Sequence, residues 1–215
     1  MKNSEQIDIW MSRLGQRKSQ RLRTDLVAEI NAAIQDLESQ PFVPWFLQKT
    51  ATLSVATGDS FKDLPSDFFI EREGTRPYYV LEGTTYFMRK MISGAIFGFT
   101  TTSTRPIRYS LTGNEFHFRP VADQAYSILV PYYGKTGGGV LDDSNEVSNL
   151  WILNATEWIA NKALKVTART HAQNQPLAAD FAALEIQAKN NLYRLHEARE
   201  HVNQEYEMGG VSDGS

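Results

Sequence analysis

The sequence predicts an α+β protein: a helical bundle, an antiparallel β-sheet or sandwich block inserted into it, and a long C-terminal helix. Three observations lead there. Apolar residues recur at steps of three and four across residues 4–39 and again across 150–206, which keeps one stripe on one helix face. Between those regions, from Lys49 to Lys135, β-branched and aromatic residues alternate with polar ones and are punctuated by Gly58, Gly74, Gly83, Gly94, Gly98 and Gly113, as in short strands joined by tight turns. Finally, Pro176 and Gly209-Gly210 bracket a stretch with no Gly or Pro inside it, so both helix ends are marked. The domain reading is a discontinuous bundle over 1–48 and 140–175, a β domain over 49–139, a helical arm over 176–208, and a tail over 209–215 too polar and Gly-rich to order itself.

The first helix carries Ile7, Trp10, Met11 and Leu14 on one side, with Ser4 as its cap and Gly15 as its stop. The second, Ser19 to Ser39, repeats the pattern with Leu22, Leu26, Ile30, Ala33, Ile34 and Leu37. Burying its large aliphatic side chains contributes on the order of 10 kcal/mol, and ordering about 20 residues costs at least as much. It therefore needs another helix, and residues 150–166 are the candidate. Pro41 and Pro44 end the helical region, and PFVPWF reads as a hinge packed on a core.

Strands are expected at ATLSVA, FFIERE, PYYVLE, TTYFMRK, IRYSLTG, NEFHFRP and YSILVPYY. The Thr-Gly-Asn around Gly113 joins two strongly alternating runs, so Arg108–Leu111 and Glu115–Phe118 should form a hairpin, ended at Arg119-Pro120. GKTGGG at 134–139 is a flexible exit. Helix resumes near Ser144 and runs to about His171 with a break near Asn154, whose spacing to Glu157 resembles a capping box. A short turn at Gln173–Gln175 makes the last two helices antiparallel neighbours, so helices two, three and four should bundle with the first across them.

The last helix shows Phe181, Leu184, Ala188, Leu192, Leu195, Val202 and Tyr206 along one stripe, interrupted by Arg199. About 30 residues of helix rise on the order of 45 Å, against roughly 40 Å for a compact domain of the remaining residues. The helix overhangs its domain on this reading. Its stripe then calls for another subunit, because burial rather than propensity holds most helices.

Composition bounds the function. Four Trp, nine Tyr and eleven Phe at a formal charge of −3 fit neither a disordered chain nor a general nucleic-acid binder. With no Cys there are no disulfides, thiolates or sulfur-ligated zinc, which fits a reducing compartment or a virion assembled in one. No signal-peptide core and no window of about 20 apolar residues occurs, so a soluble, untargeted chain without a membrane partner is expected.

Chemical motifs fall short. Gly134-Lys135-Thr136 lacks the phosphate-loop glycine, Leu129 standing in its place, and Gly137–Gly139 occupies the position of the required helix. His196 and His201 stand five apart on a helix and diverge by about 140°, whereas a zincin pair is four apart. Asp142-Asp143 reads as a polar turn, Asn154-Ala155-Thr156 as an unused glycosylation acceptor, and His117 as a strand-surface residue. Neither Gly-x-Ser-x-Gly nor His-Glu-x-x-His is present. The reading is a protein that is not an enzyme, with no catalytic residues, cofactor or metal. Arg13, Arg17, Lys18, Arg21 and Arg23 cluster away from the second helix's stripe, as a solvated face or as a contact for an acidic partner or passing DNA phosphates.

Four further signatures fall in a telling order: Pro44-Trp45-Phe46-Leu47, Leu64-Pro65-Ser66-Asp67-Phe68, Tyr132-Tyr133-Gly134 and Asn149-Leu150-Trp151. With the helices around them, over residues from about 20 to 195, the chain resembles the head-to-tail adaptor (connector) proteins of tailed phages, of the short-tailed type. That resemblance implies a structural virion protein in the neck, present in host cytoplasm before assembly. It further implies a homo-oligomeric ring, typically of twelve copies, below the portal, which extends the DNA channel toward the tail nozzle and other tail proteins. The bundle would make the ring and the C-terminal segment would dock on the portal. On this expectation Leu192, Tyr193, Leu195, Val202 and Tyr206 carry the docking, with Arg194 and Arg199 as polar partners. The β block would face the tail. The competing readings are a tail-completion or tail-tube ring component without portal contact, a small enzyme with a converged site, and a DNA-packaging protein whose binding weakens with salt.

Overall fold

The computed structural model of the chain describes residues 2–15, 19–92, 94–98, 103–136 and 149–209, with residues 200–209 as helix backbone only. The chain divides into two compact units, Met1–Leu47 with Thr136–Ser215, and Gln48–Lys135. The α+β class and the long C-terminal helix are both present.

The first unit is helical. α1 (Asn3–Arg13) buries Ile7, Trp10 and Met11, and Gly15 at φ +69° turns the chain out of it. Its start is not capped by Ser4. The cap is Lys2, two residues earlier, and the Glu5 carboxylate accepts from the Lys2 backbone N–H at 3.1 Å. α2 (Gln20–Ser39) is capped by Ser19, whose hydroxyl accepts from Leu22 N–H. Leu26, Ile30, Ala33, Ile34 and Leu37 form its buried stripe.

That stripe packs on α4 (Thr156–Val166), the expected partner. α4 also packs on α5 (Gln175–Gly209), and Trp158, Ile159, Ala160, Ala163 and Leu164 are all buried. A helix in the middle of three needs apolar residues on both sides. The break before α4 falls at Ala155 (φ −129°, ψ 32°). Asn154 does not cap it, because its amide donates to Leu150 O, while Glu157 binds Arg13. The cap in this region is Asn149, which accepts from Trp151 N–H at 2.9 Å at the head of the short α3 (Leu150–Asn154). After α4 the helix widens into a π turn over Thr167–His171, where Ala172 N–H reaches back to Thr167 O. Asn174 then caps α5 through Leu177 N–H at 3.1 Å.

Glu38, buried near the end of α2, accepts from the backbone N–H of Thr136 at 2.7 Å and from its hydroxyl. Asn149 donates to the same hydroxyl at 3.2 Å. Residues on either side of 137–148 are thus tied to each other and to α2. The helix start near Ser144, the glycines 137–139 and Asp142-Asp143 lie outside the described residues, as does the tail beyond Gly209.

The second unit is a two-sheet sandwich. β1 (Gln48–Val55), β9 (Tyr126–Gly134), β4 (Tyr78–Leu81) and β5 (Thr84–Phe87) lie in that order, with β3 (Phe68–Glu71) also on β9. The second sheet runs β2 (Phe61–Asp63), β8 (Glu115–Arg119), β7 (Arg108–Thr112), β6 (Arg89–Lys90). Leu53, Val55, Tyr79, Ile128 and Val130 from the first sheet meet Tyr109, Phe116 and Phe118 from the second in the core. Six of the seven expected strands are present as single strands and the seventh, TTYFMRK, is divided at Met88 into β5 and β6 of different sheets; the β7–β8 hairpin closes at Thr112↔Glu115 around Gly113 at φ +60°. The five-stranded sheet is antiparallel throughout, and the four-stranded sheet is mixed, since β6 pairs β7 in parallel. β2 escaped the sequence pattern because a strand of three residues is too short to carry a periodicity.

Pro131 stands inside the central strand β9. Its carbonyl accepts from Arg72 N–H, so its nitrogen also faces the side where β9 changes partner from β4 to β3. The full β1–β9 ladder, from Gln48↔Tyr133 to Val55↔Tyr126, loses nothing to it.

Candidate functional site

α5 is 35 residues long, roughly 52 Å at 1.5 Å per residue, against about 16 Å for the 11-residue α4. One face is spent inside the bundle. Ala178, Phe181 and Leu192 are buried, and Glu185 takes Lys165 at 2.5 Å and Lys162 at 3.8 Å, the latter also holding Asp36 of α2 at 2.9 Å. The Lys162 ammonium thereby holds the Asp36 carboxyl below the usual aspartate range. Further along, Tyr193 stacks on Phe42 at 4.1 Å, and His196 meets the edge of Phe42 and lies parallel to Trp45. The Arg199 guanidinium sits 4.6 Å over Trp45, a cation–π contact.

The stripe read from the sequence therefore straddles a boundary. Phe181 and Leu192 belong to the buried face, whereas Leu184 (45 % exposed) and Leu195 (53 %) lie on the adjoining line and stay open. Of the residues expected to dock a portal, Leu192 is buried in its own bundle, Tyr193 and Arg199 are engaged with aromatic rings, and Arg194 and Leu195 are exposed. The side chains of Val202 and Tyr206 lie outside the described residues, as does that of His201.

The basic cluster is partly neutralised. Arg13 makes a two-pronged ion pair with Glu157 at 2.8 and 2.9 Å, which holds that carboxyl below its ordinary value. Arg23 pairs with Asp8 and donates to Ser4 O. These two tie helices together, so they do not form the free positive face that the sequence implied. Arg21 is exposed. Arg17 and Lys18 lie outside the described residues.

The four signatures that carried the resemblance meet in two pairs. Phe46 stands edge-on to Trp151 at 5.1 Å, which joins the first to the last. In the β unit, Asp67 takes Lys49 at 2.6 Å and the Tyr132 hydroxyl at 3.0 Å, and its backbone carbonyl accepts from Lys135 N–H. Burial opposes ionisation of Asp67, but the Lys49 ammonium and the Tyr132 hydroxyl outweigh it and hold its pKa low. The Tyr132 phenol is pushed up to about 12 by burial and by that carboxylate. Gly134 closes this junction, since a Cβ there would fall 2.8 Å from both Asp67 Oδ2 and Lys49 Cδ. The signatures are joints of the fold.

A family model described as SU10 adaptor protein matches residues 5–205. The chain belongs to the SU10 adaptor protein family. No curated protein matches it. Membership in the SU10 adaptor family makes this a phage structural adaptor protein, of a family that is not one of enzymes, and it implies association with other head or tail proteins.

The Gly-Lys-Thr side chains are used within the protein: Lys135 lies over the Phe69 ring at 4.8 Å and Thr136 binds Glu38. Among the described residues no group of three His, Asp or Glu is placed to hold a metal, and no helix is long and apolar enough to cross a membrane. A groove of about 400 Å³ beside β3 is lined by Glu71, Lys90 and Tyr109; Glu71 already binds both of the others.

Strand register reveals a face that the sequence reading missed. On the outer side of the five-stranded sheet, Phe87, Tyr78, Leu129 and Thr52 line up across four strands. Val80 pairs with Thr85, and Ser127 with Ser54, in the row beside them. Neither row contains a charged residue. Phe87 and Val80 are 61 % and 56 % exposed. The alternating uncharged positions of β1, Gln48, Thr50, Thr52 and Ser54, were the available signal.

Proposed function

We propose that this adaptor is one subunit of a ring, of about twelve copies as in the connectors it resembles, that stands in the virion neck between portal and tail and extends the DNA channel. One observation carries the reading. α5 keeps two leucines in line, Leu184 and Leu195, exposed beside the face it buries, and the helix continues well past its partner α4. Exposed leucines in line on a long helix fit a groove on a second protein. Arg194 and Leu195 are the docking residues on the described part of the arm, and Val202 and Tyr206 continue it in sequence. The uncharged sheet face around Phe87 and Val80 suits the tail side, where a flat β surface can pack against another.

The test is a chain ending at Arg199, together with Leu195→Glu. Ending at Arg199 spares the Tyr193, His196 and Arg199 contacts with the aromatics of the bundle. Leu195→Glu should keep the parent's circular dichroism and the shortened chain should lose only the helical signal of residues 200–209; both should lose co-sedimentation with portal, while negative-stain images of the parent mixed with portal show rings. Undiminished portal binding by both would refute the docking arm. Val80→Lys with Phe87→Lys should leave portal binding intact and abolish tail attachment; the reverse outcome inverts the orientation.

A further inference from the structure

The five-stranded sheet ends in two strands that each have one neighbour, β1 on one side and β5 on the other. Which backbone groups stand open there follows from the ladders. Pro131 turns its carbonyl to Arg72 N–H on the far side of β9, so its partner Thr50 is not hydrogen-bonded to β9. Bonded and unbonded pairs alternate along an antiparallel ladder. Thr50, Thr52 and Ser54 therefore aim N–H and C=O out of the edge, while Ala51, Leu53 and Val55 bond β9. On β5, the two-residue turn Glu82-Gly83, with φ of 50° and 79°, closes on Leu81↔Thr84, the bonded pair of a tight hairpin. Thr85 and Phe87 then carry the open groups. Among the described residues no hydrogen bond reaches these edge groups, and all five residues are exposed.

Natural sheets blunt such edges with outward charges, prolines or bulges. Neither edge has them. β1 is eight residues long without proline, its register with β9 is unbroken, and its one charged residue, Lys49, is paired with Asp67. β5 reads Thr-Thr-Tyr-Phe. Nearby Arg105 meets this strand over the Tyr86 ring.

The two edges also fit each other. Strand directions alternate from β1 through β9 and β4 to β5, so β5 of one copy laid beside β1 of another is again antiparallel. On both edges the open residues are those with side chains on the outer face, so pairing joins outer face to outer face and core to core. With Thr85 opposite Thr52 and Phe87 opposite Thr50, Tyr86 meets Ala51. Those two are the half-buried residues at the rim of the sandwich core on either edge, and a large ring against a small side chain covers that rim.

We propose that β1 of one copy pairs with β5 of the next, and that this is the contact joining subunits in the ring proposed above, on which the inference rests. A contact between unlike edges repeats head to tail until it closes, and closure removes every free edge. Each contact supplies four ladder hydrogen bonds, and in a closed ring each copy makes two contacts, so closure is favoured over open chains.

The experiment mixes the full-length protein with portal and introduces cysteines into a chain that has none. Thr52→Cys and Thr85→Cys copies oxidised together should link into dimers, and the double variant into a ladder of multimers. Bonded pairs have Cα atoms about 5.5 Å apart, within disulfide reach, whereas within one copy the two positions lie three strands, about 14 Å, apart. Each single variant oxidised alone should stay unlinked. Thr52→Pro and Thr85→Pro remove an N–H that the subunit itself does not use, so both should keep the parent's circular dichroism, while rings in negative stain fall at least about tenfold. Parent rings without a ladder, or full ring yield from both proline variants, would overturn the edge pairing and leave the ring reading standing. A dimer from Thr52→Cys alone would overturn it in favour of a two-fold contact. A parent that forms no ring with portal would overturn both.

Discussion

Replacing Gly134 by alanine should destabilise the β unit by about 2–3 kcal/mol, through a clash with a polar junction and not through the backbone. Gly134 is not among the glycines with positive φ, so alanine suits its backbone and by restricting the unfolded chain would contribute roughly 0.5–1 kcal/mol of stability. Against that, the new Cβ stands 2.8 Å from Asp67 Oδ2 and from Lys49 Cδ, well inside contact distance. Asp67 and Lys49 must separate. Their pair has both side chains about one-third exposed and is worth up to about 1 kcal/mol after screening. The Tyr132 hydrogen bond to the same carboxylate contributes about 1.5 kcal/mol, and residual crowding about 1 kcal/mol. Asp67→Ala alone removes the pair and the hydrogen bond and should cost about 2 kcal/mol. In that background Lys49 can swing aside, so Gly134→Ala should become neutral or stabilising, giving a coupling of about 2–3 kcal/mol. All four tryptophans, Trp10, Trp45, Trp151 and Trp158, lie in the helical unit. Urea unfolding of the β unit must therefore be followed by tyrosine near-ultraviolet circular dichroism. Strict additivity of the two substitutions, or a neutral Gly134→Ala in the parent, would refute the junction.

Three other outcomes follow from the same contacts. Phe42→Ala removes the ring on which Tyr193 stacks and His196 abuts, so hydrogen exchange over residues 189–199 should quicken and stability fall by about 2–3 kcal/mol. Asp36, Asp67 and Glu157 all have folded-state pKa values below their ordinary ones; their stabilisation is present above about pH 4 and is lost as pH falls through the lowered values. Acid titration by circular dichroism should show this, with a flatter profile for Asp67→Asn/Glu157→Gln. Doubling the stretch 137–148 with Gly-Ser residues should cost only about 0.6 kcal/mol, because Thr136 and Asn149 remain tied to each other and to Glu38; a loss of several kcal/mol in urea unfolding would mean that the tie does not hold.

Local signals in the chain were read well where one element decides the outcome. The Gly113 hairpin, the Gly15 stop and the stripes of α1 and α2 depend on residues a few positions apart, and the structure has them. Errors arose where two elements compete. Asn154 had the spacing of a cap, but Ala155 breaks the helix and Glu157 is drawn to Arg13 on α1. The α5 stripe merged a buried face with an exposed one because Leu184 and Phe181 look alike in sequence, and only α4 distinguishes them. Arg13 and Arg23 seemed free because their partners, Glu157 and Asp8, are distant in sequence or on another helix. The uncharged sheet face depends on register between strands such as β4 and β9, set by pairing across many residues. No window along the chain contains that information.

The β unit is entered through Gln48 and left just after Gly134, and Gln48 is paired with Tyr133. Its two ends are therefore neighbours on one sheet, about 5 Å apart. From the helical unit's side, removing the whole insert opens a gap that two or three glycines can bridge. The helices are thus a chassis with a socket, into which a differently shaped cassette with adjacent ends could be spliced without lengthening any connection of the host.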